Sequence, residues 1–302
     1  MIINEAYVVL TPTNPDKVFK DSCPRDPSFP FKPCFVGIEV ECERVSLSVN
    51  ALKDKGFYVK DDYSLRNSGK EITTPPIPSD RAVTAFKTIL DSLGPKADFS
   101  KRTSIHVHFD CTSLSMEEVK RIVYLYTIFE KALFGFCRPE REKSVFCLPL
   151  TDTLCALQNS LSFMIDNWGK YSSLNLCTLP SFGTIEFRHL EGTGDVEKFR
   201  RWFYLLHSIY SARNSFGDST RLLREIFNLN TNSNYLSFAH TVFGDNLQYI
   251  EENLLESMVK GVKYLKLVNF STFAFKLAYE NLVIKPASEK AHKAAKKHLE
   301  EI

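Results

Sequence analysis

Three glutamates at alternate positions of a short apolar stretch are the residues whose types and spacing most directly suggest chemistry. The stretch FVGIEVECE, residues 35–43, places Glu39, Glu41 and Glu43 two residues apart. Residues two apart in a β-strand point to the same face, so the carboxylates would share one face and the hydrophobic residues between them the other. Such a strand either exposes its acids to solvent or forms one wall of a polar cavity, and taken alone it is typical of the first case.

Two later segments show the same division into a polar and an apolar face. His106 and His108 alternate with hydrophobic residues in SIHVHFD, and Glu186 and Arg188 do so in GTIEFRHL. A further acid, Glu71, precedes an isoleucine in GKEITTPP. If these strands join one sheet, its polar face carries carboxylates, imidazoles and a guanidinium, which predicts a polar cavity rather than a random exterior.

The chemistry of such a face is that of hard cations and phosphate. Carboxylate oxygens are the ligands that Mg²⁺ prefers, and several carboxylates on adjoining strands can hold more than one ion, with nucleotide phosphates completing the coordination. An arginine beside them can meet a transferring phosphoryl group. Two plainer readings stay open: the histidines are structural, and Glu186 with Arg188 is an ion pair of little consequence.

The composition is that of an ordinary globular protein of 302 residues, 44% hydrophobic and 25% charged. The chain has 38 basic and 36 acidic side chains, which nearly cancel. The net charge therefore does not indicate nucleic acid or an anionic membrane as a partner. The chain has no signal-like N-terminus and no apolar run of about 18 residues, so we expect a cytoplasmic protein without a membrane partner. Eight cysteines without a C-x-x-C motif predict reduced, mostly buried thiols.

Helical segments separate the candidate strands. SDRAVTAFKTILDSLG predicts a helix with Ser79 or Asp80 as its N-cap, and SMEEVKRIVYLYTIFEKALFGF opens with a capping box of Ser115 and Glu118. DVEKFRRWFYLLHSIYSAR has a strong apolar side. We assign the apolar stripes of these helices to the core.

Five segments in this order, GIEVECE, KEITTPP, SIHVHFD, KYSSLNL and TIEFRHLEGT, resemble the amidoligase family. These enzymes are relatives of the glutamate-cysteine ligases and glutamine synthetases, which join a carboxylate to an amine using ATP. The resemblance implies an α+β, glutamine-synthetase-like fold: a curved, largely antiparallel sheet with flanking helices and a concave face that binds Mg-ATP. We expect an irregular N-terminal segment (1–34), an ATP-dependent amidoligase catalytic core (35–213) and a mostly helical C-terminal part (214–302) packed on the same domain.

Carried onto this chain residue by residue, the resemblance implies roles for the polar residues. The expected metal ligands are Glu39, Glu41, Glu71, His106, His108 and Glu186. The expected catalytic residues are Arg188, which touches the γ-phosphoryl group, and Glu186. The expected nucleotide contacts are Glu39, Arg188, Tyr171 and Asn175, although Tyr171 and Asn175 could equally pack a loop.

The chain departs from the family pattern at one turn, and two further positions carry open predictions. The family commonly has D-G-S before the third acid, where this chain reads Asp62, Tyr63, Ser64, so the shape of the turn and a role for Asp62 stay open. Glu43 matches less firmly and is predicted to be a rim residue. Arg138 and Arg141 in CRPEREK could reach phosphate or a substrate carboxylate, but we expect a solvated charge cluster.

The expected reaction uses ATP and Mg²⁺ to activate a carboxylate as an acyl phosphate, which an amine then attacks. The partners would be a carboxylate-bearing and an amine-bearing substrate, each a small molecule, a peptide or a modified macromolecule. No cysteine nucleophile is needed. The alternatives are a metal-dependent hydrolase or phosphoesterase, which could use the same ligands, and a non-catalytic nucleotide-binding descendant.

Overall fold

One antiparallel sheet, with helices packed on its apolar face, carries the five segments. The computed structural model describes residues 22–45, 49–150 and 171–267. Residues 1–21 of the predicted N-terminal segment and 268–302 of the predicted helical part lie outside them. Within the described residues the class is α+β with a largely antiparallel sheet flanked by helices, so this prediction is confirmed.

The described sheet has seven strands, and every paired neighbour is antiparallel. The strands are β1 (Phe35–Cys42), β2 (Tyr58–Asp61), β3 (Lys70–Thr73), β4 (Ile77–Pro78), β5 (Ile105–Asp110), β6 (Leu174–Asn175) and β7 (Thr184–Phe187). Their order is β2-β3-β1-β5-β7-β6, with β4 also paired to β1. The glutamate-rich strand β1 is therefore central, with β3 and β4 on one side and β5 on the other.

The described α-helices are α1 (Val49–Lys53), α2 (Ala82–Ser92), α3 (Met116–Phe136), α4 (Leu179–Phe182), α5 (Val196–Ala212), α6 (Ser219–Phe227), α7 (Asn232–Phe243) and α8 (Leu254–Leu267). The predicted capping box of Ser115 and Glu118 is present at the start of α3. The predicted N-cap of α2 is wrong, because Ser79 lies in a 3₁₀ turn before the helix and its Oγ accepts the Cys34 N–H at 3.1 Å. The Ser79 hydroxyl therefore accepts a hydrogen bond from a residue distant along the chain instead of capping α2, as the local pattern had predicted.

The two faces of β1 divide as the alternation predicts. The residues of its apolar face are almost fully buried: Val36, Ile38, Val40 and Cys42. On the neighbouring β5, the Phe109 ring stacks on Phe203 and Tyr210 of α5 and meets Phe187 of β7 edge to face. Helix α3 adds Tyr126, whose ring packs against Phe187. The stripes assigned to the core from the sequence thus cover the apolar face of the sheet.

The TTPP segment ends β3 with two prolines, while the threonine before them keeps β1 hydrogen-bonded. Thr74 donates its N–H to the Ile38 carbonyl at 2.9 Å, and its Oγ1 accepts the Ile38 N–H at 3.0 Å. Pro75 and Pro76 have no N–H to give to a ladder. The threonine hydroxyl therefore replaces a backbone acceptor, and the register that sets Glu71 opposite Glu41 is preserved.

Helix α8 packs closely along α3. A Cβ at Gly261 would lie 2.3 Å from the Ile128 Cα, so only glycine permits this approach. The Ser257 Oγ accepts the Ala132 N–H at 2.9 Å across the same contact. Among the helices described, none combines the length and the apolar character that crossing a membrane requires.

Replacing Val40 with Asp tests the division of faces. Val40 is fully buried between Ile72 and Ile105 of the neighbouring strands, so an aspartate there is an unpaired buried charge that should cost about 3–5 kcal/mol. We expect loss of the folded state or a strongly lowered Tm by circular dichroism. The control Val145→Asp, at a site 66% exposed, should melt like the wild type. Equal melting of both variants would show that the apolar face is misassigned.

Candidate active site

The strand registers bring the six predicted metal-ligand residues onto one face of the sheet. Glu39 lies opposite His106, Glu41 opposite Glu71, and His108 opposite Glu186. The face is largely covered: Glu41, Glu71, His106 and Glu186 are each less than 10% exposed. The polar face of β1 is therefore enclosed, and the simpler reading of a solvated edge is wrong.

The first cluster consists of Glu39, His108 and Glu186, which each offer one ligand atom within 4.8 Å of the others. The Nε2 atom of His108 lies 3.3 Å from a Glu39 oxygen and 3.9 Å from a Glu186 oxygen. Its Nδ1 lies 3.1 Å from the Thr184 hydroxyl, which orients the ring. Among the described residues the buried Nε2 forms no well-aligned hydrogen bond, and its nearest charged neighbours are the two carboxylates of the cluster.

His106 occupies a different position, between the carboxylates rather than beside an open space. Its Nδ1 lies 3.1 Å from Glu39 and 3.2 Å from Glu186, and its Nε2 lies 2.8 Å from the Ser104 hydroxyl. Both ring nitrogens are thus engaged by neighbouring side chains. This geometry favours His108 as a ligand and His106 as the group that holds two carboxylates apart.

The second cluster consists of Glu41, Asp62 and Glu71, whose ligand atoms also lie within 4.8 Å of one another. Sequence reasoning left Asp62 open because Tyr63 stands where glycine is usual. Among described non-glycine residues, positive φ occurs only at Arg44, Asn67 and Ser68, so Tyr63 needs no glycine-like backbone. The turn is instead closed by Asp62, whose Oδ1 accepts the N–H and hydroxyl of Ser64 at 2.8 and 2.7 Å.

Residues 190–192, the LEG of the TIEFRHLEGT segment, position Glu41 indirectly, through the start of β5. Ser104 donates its N–H and its hydroxyl to Glu41 Oε2 at 2.8 and 2.6 Å. Gly192 donates its N–H to the Thr103 carbonyl at 2.8 Å, and a Cβ at Gly192 would lie 2.1 Å from the Thr103 hydroxyl. The missing side chain therefore lets the chain after β7 reach the start of β5 and position Ser104.

Glu43 is buried and anchors the turn of the second cluster. It is 3% exposed, and its Oε1 accepts the Arg66 N–H at 2.9 Å. Its backbone pairs with Asp98. The prediction of a rim residue is therefore wrong, because the carboxylate is needed inside to satisfy the turn that carries Asp62.

Arg188 and Asn175 each donate a hydrogen bond to a different carboxylate oxygen of Glu186. Arg188 Nη1 donates to Oε1, and Asn175 Nδ2 donates to Oε2 at 2.6 Å. The same Arg188 nitrogen lies 3.4 Å from His106. Tyr171 lies farther out, 38% exposed, with its ring edge to face against Phe146.

Arg141 is buried, so the prediction of a solvated charge cluster is wrong for this residue. Its Nε donates to the His189 carbonyl and its Nη2 to the Arg188 carbonyl, each at 2.7 Å. These carbonyls follow the end of β7, where the strand ladder no longer supplies donors. Arg138 is more exposed, and its Nε lies 3.6 Å from Glu191.

The charges of the two clusters have opposite effects on their carboxyls. Burial favours the neutral form of Glu39, but His108 and His106 together outweigh it and hold the pKa of Glu39 well below its ordinary value. Burial and the charge of Glu39 raise the pKa of Glu71, and Lys60 only partly opposes them. Burial would lower the pKa of His108, but the charges of Glu39 and Glu186 raise it. Negative charge is therefore less fully compensated at Glu71, in the second cluster, than at Glu39, in the first.

An open cleft adjoins the first cluster at the beginning of β1. It encloses about 590 Å³ of empty space, partly open to solvent, and its walls include Phe35, Phe182, Asp110 and His108. The two phenylalanine side chains remain 42% and 46% exposed. A Cβ at Gly37 in the cleft would meet only the His108 Cβ, at 3.6 Å, so the glycine leaves the floor open.

None of the seven cysteines in the described part of the chain has an activated thiol. The seven described cysteines are free, and five of them are buried, as predicted. Cys34 Sγ lies 3.6 Å from His207 Nε2. Burial raises the pKa of Cys34 to about 12 and lowers that of His207 to about 3, so this pair stays neutral.

Comparison with known proteins identifies the class. The profile of the family described as "Putative amidoligase enzyme" matches residues 39–210, and the chain belongs to that family. Among solved structures, the chain is similar to a "novel glutamine synthase homolog", with 13% identity over 96% of this chain and 74% of the other and a TM-score of 0.33. No curated protein sequence matches the chain.

The opposite pKa shifts predict opposite effects of two isosteric substitutions in metal-free protein. Glu71→Gln should raise Tm at pH 7 by about 2–4 °C, because the charged carboxyl is disfavoured there, whereas Glu39→Gln should lower it, because two histidines lose their anion. The effect of Glu71→Gln should vanish below about pH 4.5, where Glu71 is protonated in both the folded and the unfolded state, whereas the effect of Glu39→Gln should shrink gradually as the pH falls from 4.5 toward the much lower pKa of folded Glu39. Melting curves across pH 3.5–7 measure this, and equal shifts of the same sign at pH 7 would contradict it.

Proposed function

We propose that the protein is an ATP-dependent carboxylate–amine ligase that forms an amide or peptide-like bond through an acyl phosphate. The observation that carries the proposal is the pair of acidic clusters on one sheet face, bordered by Arg188, in a chain of the amidoligase family. The clusters adjoin through Glu39 and Glu41, two residues apart on the same face of β1, and such neighbouring clusters suit two ions that share one polyphosphate.

The donor set fits Mg²⁺. The two clusters contain five carboxylates and one imidazole, and hard oxygen donors are what this ion requires, whereas structural and catalytic zinc sites rely on thiolates and imidazoles. We propose that Glu39, His108 and Glu186 hold one ion and that Glu41, Asp62 and Glu71 hold another. Bound there, the ions would neutralise phosphate charge. The same donor set argues against the hydrolase alternative.

The cleft between Phe35 and Phe182 is the proposed site of the nucleoside. Exposed aromatic rings offer stacking surfaces to a base, and stacking on an aromatic side chain contributes about 1–3 kcal/mol. From this cleft the phosphates would extend along β1 toward Glu39 and Glu186. Arg188 would meet the terminal phosphoryl group, while Asn175 would act through Glu186, and Tyr171 would contact the ligand from the outer loop.

The reaction follows from this arrangement. A substrate carboxylate takes the γ-phosphoryl group of ATP, ADP leaves, and an amine then displaces phosphate from the acyl phosphate. The guanidinium of Arg188 is held by Glu186, and its backbone carbonyl is bound by Arg141, so its charge is in place before transfer begins. Free thiols and a need for ATP lead us to place the enzyme in the cytoplasm.

ATP binding should require a divalent cation. The polar face is acidic, and the sequence contains no glycine-rich phosphate loop that could hold a polyphosphate without ions. Isothermal titration calorimetry with a non-hydrolysable ATP analogue should give at least about tenfold weaker binding after removal of Mg²⁺. The same affinity with and without Mg²⁺ would contradict this account of the carboxylates.

Replacing Arg188 with Lys should lower turnover by about 100-fold or more while leaving the fold intact, because lysine keeps the charge but loses the planar fork. Phosphate release, with the carboxylate and amine pair found by screening, measures the change. Arg201→Lys, on the exposed side of α5 where the arginine pairs with Glu197, is the matched control. Near-normal turnover of Arg188→Lys would remove this residue from the reaction centre.

A further inference from the structure

Lys60 lies over the second cluster and pairs with one of its acids. Strand β2 sets Lys60 directly opposite Glu71, and Lys60 Nζ lies 2.7 Å from Glu71 Oε1. The lysine side chain is 68% exposed, whereas the glutamate side chain is 12% exposed. Among the described residues, no other lysine or arginine forms an ion pair with Glu41, Asp62 or Glu71.

The first cluster contains the same arrangement with a different cation. Arg188 pairs there with Glu186, and Arg188 is 14% exposed. In each cluster one carboxylate oxygen is thus occupied by a tethered positive charge. The two differ in mobility, since Arg188 is enclosed and its backbone carbonyl is bound by Arg141, whereas Lys60 stands on the edge of the sheet with a flexible stem.

A divalent cation bound by Glu71 would lie within a few ångströms of the Lys60 ammonium, which contacts Oε1 of the same carboxylate, and two cations that close repel each other. Lys60 is exposed and flexible and can move away from the ion, whereas Arg188 is enclosed. Release of Lys60 carries little desolvation cost, because its side chain is already 68% exposed.

We infer that Lys60 is the internal counter-cation of the second cluster: it neutralises Glu71 in the metal-free protein and is displaced into solvent by the ion that binds Glu41, Asp62 and Glu71. This inference rests on the proposed function, since it requires that cluster to hold an ion. Lys60 is thus a positioning residue that keeps Glu41, Asp62 and Glu71 compatible before loading and lowers the affinity of the second site for metal.

Mn²⁺ alone is the probe, followed by electron paramagnetic resonance of the unbound ion. Lys60→Met keeps the length of the side chain but removes the charge, so the weaker of two Mn²⁺ sites should tighten about tenfold. Lys60→Arg should restore wild-type affinity. The matched control is Lys70→Met, which removes the neighbouring pair with Asp61 on the same two strands but on the opposite face, and it should leave both affinities unchanged.

Stability gives a second readout. Metal-free Lys60→Met should melt below the wild type, because Glu71 loses its counter-charge, and Mn²⁺ should raise its Tm by more than it raises that of the wild type. A crystal structure with Mn²⁺ should place an anomalous peak among Glu41, Asp62 and Glu71, with Lys60 Nζ beyond hydrogen-bonding distance of Glu71.

The outcomes separate the two proposals. Wild-type protein that binds no Mn²⁺ would overturn the metal assignment and this inference with it. Two bound ions with affinities that Lys60→Met does not change, or a metal-bound structure in which Lys60 still contacts Glu71, would overturn the role of Lys60 alone and leave the ligase proposal intact.

Discussion

The like charge collected on one face of a sheet is the constraint on which the rest of the structure depends. Glu39, Glu41, Glu71 and Glu186 lie on adjoining strands and are largely removed from water. Carboxylates in such a place are costly unless each has a partner. The positions of the histidines, of Arg188 and of the supporting hydroxyl and amide groups can all be understood as ways of meeting that cost.

Each acid is satisfied in a different way, and the differences bear on function. Glu41 is held by a serine hydroxyl and a backbone N–H, Glu186 by an arginine and an asparagine, and Glu39 by two imidazoles. Glu71 relies on an exposed lysine from an edge strand. All of these partners come from the chain itself, so the buried carboxylates of this face are satisfied without an ion.

The apolar side of the sheet makes this arrangement possible. Helices α2, α3 and α5 bury a continuous aromatic and aliphatic core against β1, β5 and β7, and two glycines allow backbone contacts that no other residue would. Gly261 brings α8 onto α3, and Gly192 brings the chain after β7 onto the start of β5. The stability of the acidic face is therefore supplied largely from the other side of the same strands.

The sequence by itself determined which residues lie on each face of β1, because alternation has a period of two and a one-residue shift would bury the acids in the core. The same alternation, together with the family resemblance, was sufficient to select the six residues of the polar face. It could not assign Asp62, since the shape of its turn depends on hydrogen bonds to Ser64 and not on a glycine. Nor could it distinguish His106 from His108, or place Glu43, Arg141 and Lys60, because their partners come from segments distant along the chain. Local pattern sets the direction of a side chain, but only the tertiary structure decides which charge it meets.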